Sequence, residues 1–174
     1  ISVSEREQAT VINAKIAEVK TQRDQKVPEL NQRKSDIERS YDEQIASRLE
    51  PVIQEGQRLE SQLQEENGSA ASKAIVFNAT GEVIVKAGEA ITAGHISKVQ
   101  KNVRERLEAV ENELKDQKAR ELEHIKLDVE TIRAEAANQM EGLRNQLEDQ
   151  ASTNKSNSSH TREELMELRP FTFL

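Results

Sequence analysis

The sequence contains no cysteine and no tryptophan, and aromatic residues make up only 2% of its 174 residues. Without cysteine, the chain can form neither a disulfide framework nor a cysteine nucleophile, and its composition fits a reducing, cytoplasmic compartment. A globular core of this size normally includes several aromatic side chains, because each of them buries a large apolar area. Their scarcity argues against a single compact core.

Long apolar runs and clustered basic charge are also missing. No segment approaches the roughly 20 apolar residues of a membrane-spanning helix, so the sequence predicts no membrane partner. Charged residues make up 33% of the chain, with a net charge of −7, and Lys and Arg alternate with Glu and Asp. Nucleic-acid binding requires a basic face. The pattern instead predicts solvated helices with ion pairs between positions i and i+4, and no direct nucleic-acid partner.

Two segments repeat apolar residues about every 3.6 positions, which is the helical period. Each defines a seam of fifteen positions, some occupied by polar or small residues. The first seam is Ile12, Ile16, Val19, Arg23, Val27, Leu30, Lys34, Ile37, Tyr41, Ile45, Leu49, Val52, Gly56, Leu59 and Leu63. The second seam is Ile96, Val99, Val103, Leu107, Val110, Leu114, Lys118, Leu122, Ile125, Val129, Ile132, Ala136, Met140, Leu143 and Leu147.

The two seams have equal length and match each other in reverse order. Placing residue i opposite residue 159 − i pairs Ile45 with Leu114 and Gly56 with Val103, and it places Tyr41 opposite a lysine stem. We therefore predict a mainly α fold, a long antiparallel coiled-coil hairpin folded within one chain. The isolated chain would be a monomer or weak oligomer. A parallel homodimer is the alternative, but it would leave each seam facing its own copy.

The predicted first helix covers residues 4–66 and the second covers residues 94–150. Pro28 and Pro51 lie within the first helix, and each removes a backbone hydrogen bond at a cost of about 3 kcal/mol in a regular helix. We expect a kink near each proline, or a new helix that starts at Pro28.

Between the helices, residues 67–93 form a predicted small β-rich tip. Two β-branched runs, 74–78 and 82–86, are separated by the three-residue loop 79–81, which ends in glycine and is typical of a hairpin. Thr92 is a plausible N-cap of the second helix. Because an isolated two-stranded hairpin is marginal in water, we expect four side chains to pack on the helix ends, namely Phe77, Val83, Val85 and Ile91.

The C-terminal part changes in composition. Residues 151–160 are rich in Ser, Asn and Thr, which predicts a flexible linker. Thr161 and Glu164 match a capping box and introduce a short helix through Leu168, followed by an extended end, so that 161–174 forms the last segment. The chain opens at Ile1 and ends in an apolar stretch, and we interpret it as a fragment of a larger protein.

No pattern of residues indicates chemistry. His95, His124 and His160 are spread over tip, helix and linker without ligand spacing, so we predict no metal site. The glycines suit turns and form no phosphate-binding loop. The carboxylates lie on exposed helix faces, where nothing would tune them for acid–base work. We therefore predict no catalytic, cofactor-binding or metal-binding residue in this chain.

Three short stretches resemble a known family. Residues 167–174 resemble the L-x-P-x-T-L-L stretch that follows the N-terminal insertion in the bacterial DNA-directed RNA polymerase β′ subunit. Residues 1–7 are similar to the later half of the Y-V-V-x-x-V-D-E-E strand that enters that insertion. Residues 80–92 are similar to the T-G-E-x-I-x-x-A-G-x-x-I-T unit that recurs in the same family. Departures from the pattern are Phe171, Phe173 and Ser4.

The resemblance implies a coiled-coil insertion in the clamp region of a nucleotidyltransferase subunit. Its partners would be the rest of the polymerase subunit and a protein factor, and its role would be that of a structural or interaction arm in transcription. The family's magnesium-binding Asp triad and zinc-binding cysteines have no counterpart here, so no active-site residue is transferred. The alternatives are a coiled-coil arm of a chromosome-maintenance ATPase, for which the tip is short, and a free-standing structural adaptor.

Overall fold

The computed structural model describes the backbone of residues 3–172 and the side chains of residues 3–153. Two long helices, α1 (Val3–Glu65) and α2 (Ala93–Thr172), flank a two-stranded antiparallel sheet of β1 (Ile75–Phe77) and β2 (Glu82–Val85). The helices are rich in Glu, Gln, Lys, Arg, Leu and Ala, which are good helix formers. They pack against each other, which confirms the predicted mainly α fold with a small β-hairpin.

The chain divides into two compact units. The base unit joins the residues of α1 up to Gln32 with those of α2 from Ile125 onward, and the hairpin unit comprises Arg33–His124. All seam positions of the base unit are buried or half-buried. Val27 and Arg133 line the same surface depression, which agrees with the predicted placement of Val27 opposite Ile132. The buried members are Ile12, Val27, Ile125, Val129, Ala136 and Met140.

In the hairpin unit, the seams pack in the predicted register. Tyr41 forms a cluster with Val110 and Leu114, against which Ile45 and Leu49 also pack. One seam position differs from the prediction, since Lys34 is exposed. A lysine ammonium loses hydration when it is buried, so its side chain remains in water even where the helical period points it inward.

The helix α1 continues through both prolines and ends at Glu65. A new helix at Pro28 is therefore a wrong prediction. The fixed φ of proline is itself helical. Pro28 and Pro51 are both exposed, so water can reach the carbonyl group that each proline leaves without its usual partner. A kink at these positions stays a prediction.

The helix α2 also continues where an interruption was expected. Its backbone is helical through 151–160 and onward to Thr172, so the predicted linker, the separate short helix and the extended end within 161–174 are corrected. Residues 151–169 contain neither Gly nor Pro. Ser, Asn and Thr each cost up to about 0.7 kcal/mol relative to Ala, less than the cost of about 1 kcal/mol for Gly and about 3 kcal/mol for Pro, so none of them by itself ends a helix. The predicted side-chain capping by Thr161 lies outside the described residues.

Candidate interaction site at the β-hairpin

The β-hairpin turns through four residues and not through three. Phe77 pairs with Glu82, which leaves 78–81 as the connection. The carbonyl oxygen of Phe77 accepts hydrogen bonds from the N–H groups of Thr80, at 3.2 Å, and Gly81, at 2.8 Å. Gly81 has φ 76°, a left-handed conformation that glycine adopts without steric cost. These two bonds draw residue 78 into the turn, which is why the predicted three-residue loop is wrong.

A bulge in β2 changes which side chains face inward. Ile75 pairs with Val85 but Val76 pairs with Val83, so Ile84 is the extra residue. Ile84 and Val85 are therefore both buried, with 3% and 0% exposure, while Val83 is 42% exposed. The prediction that Val83 packs on the helix ends is wrong, because a bulge breaks the alternation of inward and outward side chains.

The hairpin and the helix ends share one hydrophobic core. Phe77, Ile84, Val85 and Ile91 pack in a single cluster with residues of both helices, which confirms the predicted inward positions of Phe77, Val85 and Ile91. Burial of such side chains contributes about 1.5–3 kcal/mol each. The helical members of this cluster are Val52, Leu59, Leu63 and Val99. The short sheet therefore depends on the helices for its stability.

Backbone hydrogen bonds extend the tip beyond its two strands. Gly68 N–H donates to the Ile91 carbonyl, and Ile91 N–H donates to the Ser69 carbonyl, both at 2.9 Å. Ala71 N–H donates to the Glu89 carbonyl at 2.9 Å. The segment after α1 and the segment before α2 are thus joined side by side. Neither segment shows the alternating pattern of a strand in the sequence, because the two are joined by an isolated antiparallel bridge, between Ala70 and Ala90, and not by a continuous ladder.

One charged side chain from each helix fastens the hairpin. The carboxylate of Glu55, on α1, accepts the Ala79 N–H at 3.0 Å. The Lys98 amine, on α2, donates to the Val83 carbonyl at 3.0 Å and lies 3.8 Å from the Glu82 carboxylate. The Glu55 carboxylate thus satisfies an N–H group of the turn, and the Lys98 amine satisfies a carbonyl group of β2, in a sheet that has two strands within the described residues.

The start of α2 is closed by a histidine. Thr92 precedes the helix, as predicted for its N-cap, and its N–H donates to Nδ1 of His95 at 3.0 Å. Nδ1 must therefore be unprotonated in this arrangement, and Nε2, 3.2 Å from Oε1 of Glu89, is the donor to that carboxylate. His95 thus takes the role that Glu or Gln has in a capping box.

Glu89 links this cap to the hairpin. Its Oε2 accepts the Lys86 N–H at 3.0 Å. The hydrogen bond from Lys86, followed by that from His95, holds the pKa of Glu89 below its usual value. Both bonds favour the charged carboxylate. No partner for His95 was predicted from the sequence, although its position three residues after Thr92 was the available signal.

Further along the hairpin unit, polar side chains join the two helices. The Tyr41 hydroxyl donates to Glu121 at 2.9 Å, and the Lys118 amine lies 3.3 Å from the Asp42 carboxylate. The hydrogen bond to Glu121, with burial and the charge of Glu121, raises the pKa of Tyr41. Lys118 was expected opposite Tyr41, and its amine extends past that position to Asp42.

The described side chains provide contact surfaces and structural hydrogen bonds. Among residues 3–153, no three His, Asp or Glu side chains are grouped so that they could hold a metal ion. His124 is on α2, far along the chain from the His95 cap, and the side chain of His160 lies outside the described residues. Within the described part, neither long helix has an apolar stretch sufficient to cross a membrane.

These features define a helical hairpin whose small β tip packs against both helices and forms hydrogen bonds with side chains of both. Comparison with protein-family models, curated proteins and solved structures gave no match. The function is therefore argued from the residues of this chain.

Proposed function

We propose that this chain is a non-catalytic coiled-coil insertion in the clamp region of a bacterial DNA-directed RNA polymerase β′ subunit. It acts there as a structural or factor-binding arm, in the cytoplasm. Its partners are the remainder of that subunit and a protein factor. The proposal assigns no catalytic, cofactor-binding or metal-binding residue to the chain.

The observation that carries the proposal is the structure of residues 80–92, which resemble the recurring β unit of the polymerase family. The residues that match the unit occupy positions with specific physical requirements. Gly81 and Gly88 have φ of 76° and 84°, Ile91 is buried, and Thr92, directly before α2, donates its N–H to Nδ1 of His95. The residues that match the polymerase unit are thus the ones that determine the conformation and packing of the tip.

The topology of the base unit supports an insertion. The first part of α1 and the last part of α2 belong to this one unit. The two flanking stretches that resemble the polymerase lie at these helix ends in the sequence. Because both segments belong to one unit, an arm of this kind would leave its host domain and return to it through the same base unit.

The first experiment is to read the residues that flank this chain in its full-length gene. The proposal expects an R-Y-R-E-L-like continuation followed by G-A-E. Flanks that encode an ATPase head, or a start and stop codon close to the ends, would instead favour the chromosome-maintenance arm or the free-standing adaptor.

The second experiment is a deletion in the intact polymerase. Removal of residues 4–161 should leave an enzyme that assembles and extends a primed RNA at the rate of the parent enzyme. The deletion should instead reduce factor binding or complex stability. Normal assembly with loss of nucleotide addition would show that the arm reaches the active centre, and the structural role would be rejected.

A further inference from the structure

A shallow groove of ≈ 400 Å³ lies between α1 and α2 in the hairpin unit. Its apolar surface is formed by Ile53, Val103 and Leu107. Ile53 is 40% exposed although it is a large apolar residue. Exposure of such a surface to water is unfavourable, and its burial by a partner lowers the free energy.

The dimensions of the groove suit a helix. Its lining residues recur at intervals of three and four along both helices, from Ile53 to Glu60 and from Gln100 to Glu111. At 1.5 Å per residue, the α2 side is about 16 Å long, or about three helical turns. An amphipathic helix places anchors at i, i+4 and i+7 over such a length.

The rim of the groove is acidic. Glu60, Glu108 and Glu111 line it together with a single basic residue, Arg104. Glu111 pairs with Lys115 at 2.8 Å. Within the part of the chain that the structure describes, Glu60 and Glu108 form no ion pair. A partner with basic residues beside its apolar face would complement this rim.

We propose that this groove docks an amphipathic helix of a partner protein, with apolar anchors flanked by Lys or Arg. A second copy of this chain is disfavoured as occupant, because a twofold contact would bring the acidic rims together. The site depends only on described residues of the hairpin unit. Its test is therefore independent of the parent protein, and of the proposed polymerase role.

The probe is a synthetic stapled helix with leucines at i, i+4 and i+7, flanked by lysines. It is titrated into the full 174-residue chain, and the methyl NMR signals of Ile53, Val103 and Leu107 are followed. We expect saturable shifts at these methyls. A matched peptide with glutamates in place of the lysines should bind at least about tenfold more weakly, equivalent to about 1.4 kcal/mol.

Charge-reversal variants locate the contact. The pair E60K/E108K should weaken binding of the lysine peptide at least about tenfold, whereas the matched control E43K/E113K, which changes exposed carboxylates outside the groove, should not. Absence of methyl shifts, equal binding of both peptides, or equal binding by E60K/E108K would overturn the proposal. Sedimentation that shows a dimer dispersed by E60K/E108K would identify a second copy as the occupant and would also overturn it.

Discussion

Gly56, the one glycine of the two seams, lies in direct contact with Val103 on the opposite helix. A Cβ atom built on Gly56 would lie 2.5 Å from Cγ2 of Val103. Carbon atoms at optimal separation are about 3.5–4.0 Å apart, so glycine is the residue that this contact permits. The pair also satisfies the 159 − i rule, and it fixes the register of the helices in the hairpin unit.

The substitution Gly56→Ala should destabilise the chain. The added methyl group overpacks the contact at a cost of about 1–3 kcal/mol, because a valine in a helix has essentially one favoured rotamer and cannot turn aside. The gain in helix propensity, up to about 1 kcal/mol, offsets only part of this cost. Thermal or denaturant unfolding of the full chain measures the change. The control is Gly142→Ala, where nothing lies within 4 Å, and which should stabilise by up to about 1 kcal/mol through helix propensity.

The double variant G56A/V103A tests the cause of that loss. Removal of both Cγ atoms of Val103 makes room for the new methyl group. The double variant should therefore be more stable than the sum of the single changes predicts, by about 1 kcal/mol or more. Additive losses would mean that Val103 does not restrict residue 56.

Because of the bulge in β2, truncation of buried Ile84 should destabilise the fold far more than truncation of its exposed neighbour Val83. Ile84→Ala should cost about 2–5 kcal/mol, because it empties a buried position. Val83→Ala should cost about 0.5 kcal/mol or less, because Val83 is largely exposed. Unfolding of the two variants, measured side by side, decides the matter. Similar losses, or a larger loss at Val83, would contradict the observed strand register.

Cysteine crosslinking tests the helix register directly. In the variant I45C/L114C, mild oxidation should give a crosslinked monomer, because both positions belong to one hydrophobic cluster. The control E43C/L114C replaces the seam residue by an exposed one and should crosslink poorly, since disulfides require Cβ atoms about 3.5–4.5 Å apart. Crosslinked dimers alone would favour the parallel homodimer.

The carboxylate of Glu89 should give the tip a distinct acid dependence. Its folded pKa lies below the usual value of 4.5, chiefly through the Lys86 N–H. A group with a lowered folded pKa stabilises the fold above its unfolded pKa. That contribution declines as the pH falls below 4.5 and is lost once the pH has passed the folded pKa. The protection factors of the Lys86 and Thr92 amides, which compare the observed exchange rate with the intrinsic rate at the same pH, should therefore fall in acid.

Two variants separate the parts of this network. Glu89→Gln removes the titrating group, so the acid dependence of the protection factors at these amides should flatten. His95→Gln keeps an acceptor for the Thr92 N–H, as in an ordinary capping box, and should preserve protection of Thr92 better than His95→Ala does. Unchanged acid dependence in the Glu89→Gln variant would show that another group controls the tip.

The seams were predictable because they follow from local chemistry. An amphipathic helix buries the positions that recur with its own period, and all but one of the thirty seam positions are at least half-buried. The exception, Lys34, carries a charge that resists burial. Turn glycines were equally visible, since a positive φ at Gly81 and Gly88 favours that residue.

Candidate-site features that join distant residues were not predictable. Glu55 reaches the N–H of Ala79, and Lys98 reaches the carbonyl of Val83. Many carboxylates and amines along both helices could have made such bonds. Only the folded arrangement of the hairpin against the helix ends selects these two.

The sequence by itself determined that this chain forms two long helices, that their apolar seams face each other, and that a short β segment separates them. These properties depend on periodicity and turn chemistry over a few residues. Only the tertiary structure decided that Ile84 replaces Val83 in the core, that His95 closes α2, and that a groove with an acidic rim lies between α1 and α2. Each of these features depends on how one secondary-structure element packs against another. Many sequences with the same apolar pattern would form different contacts between these elements.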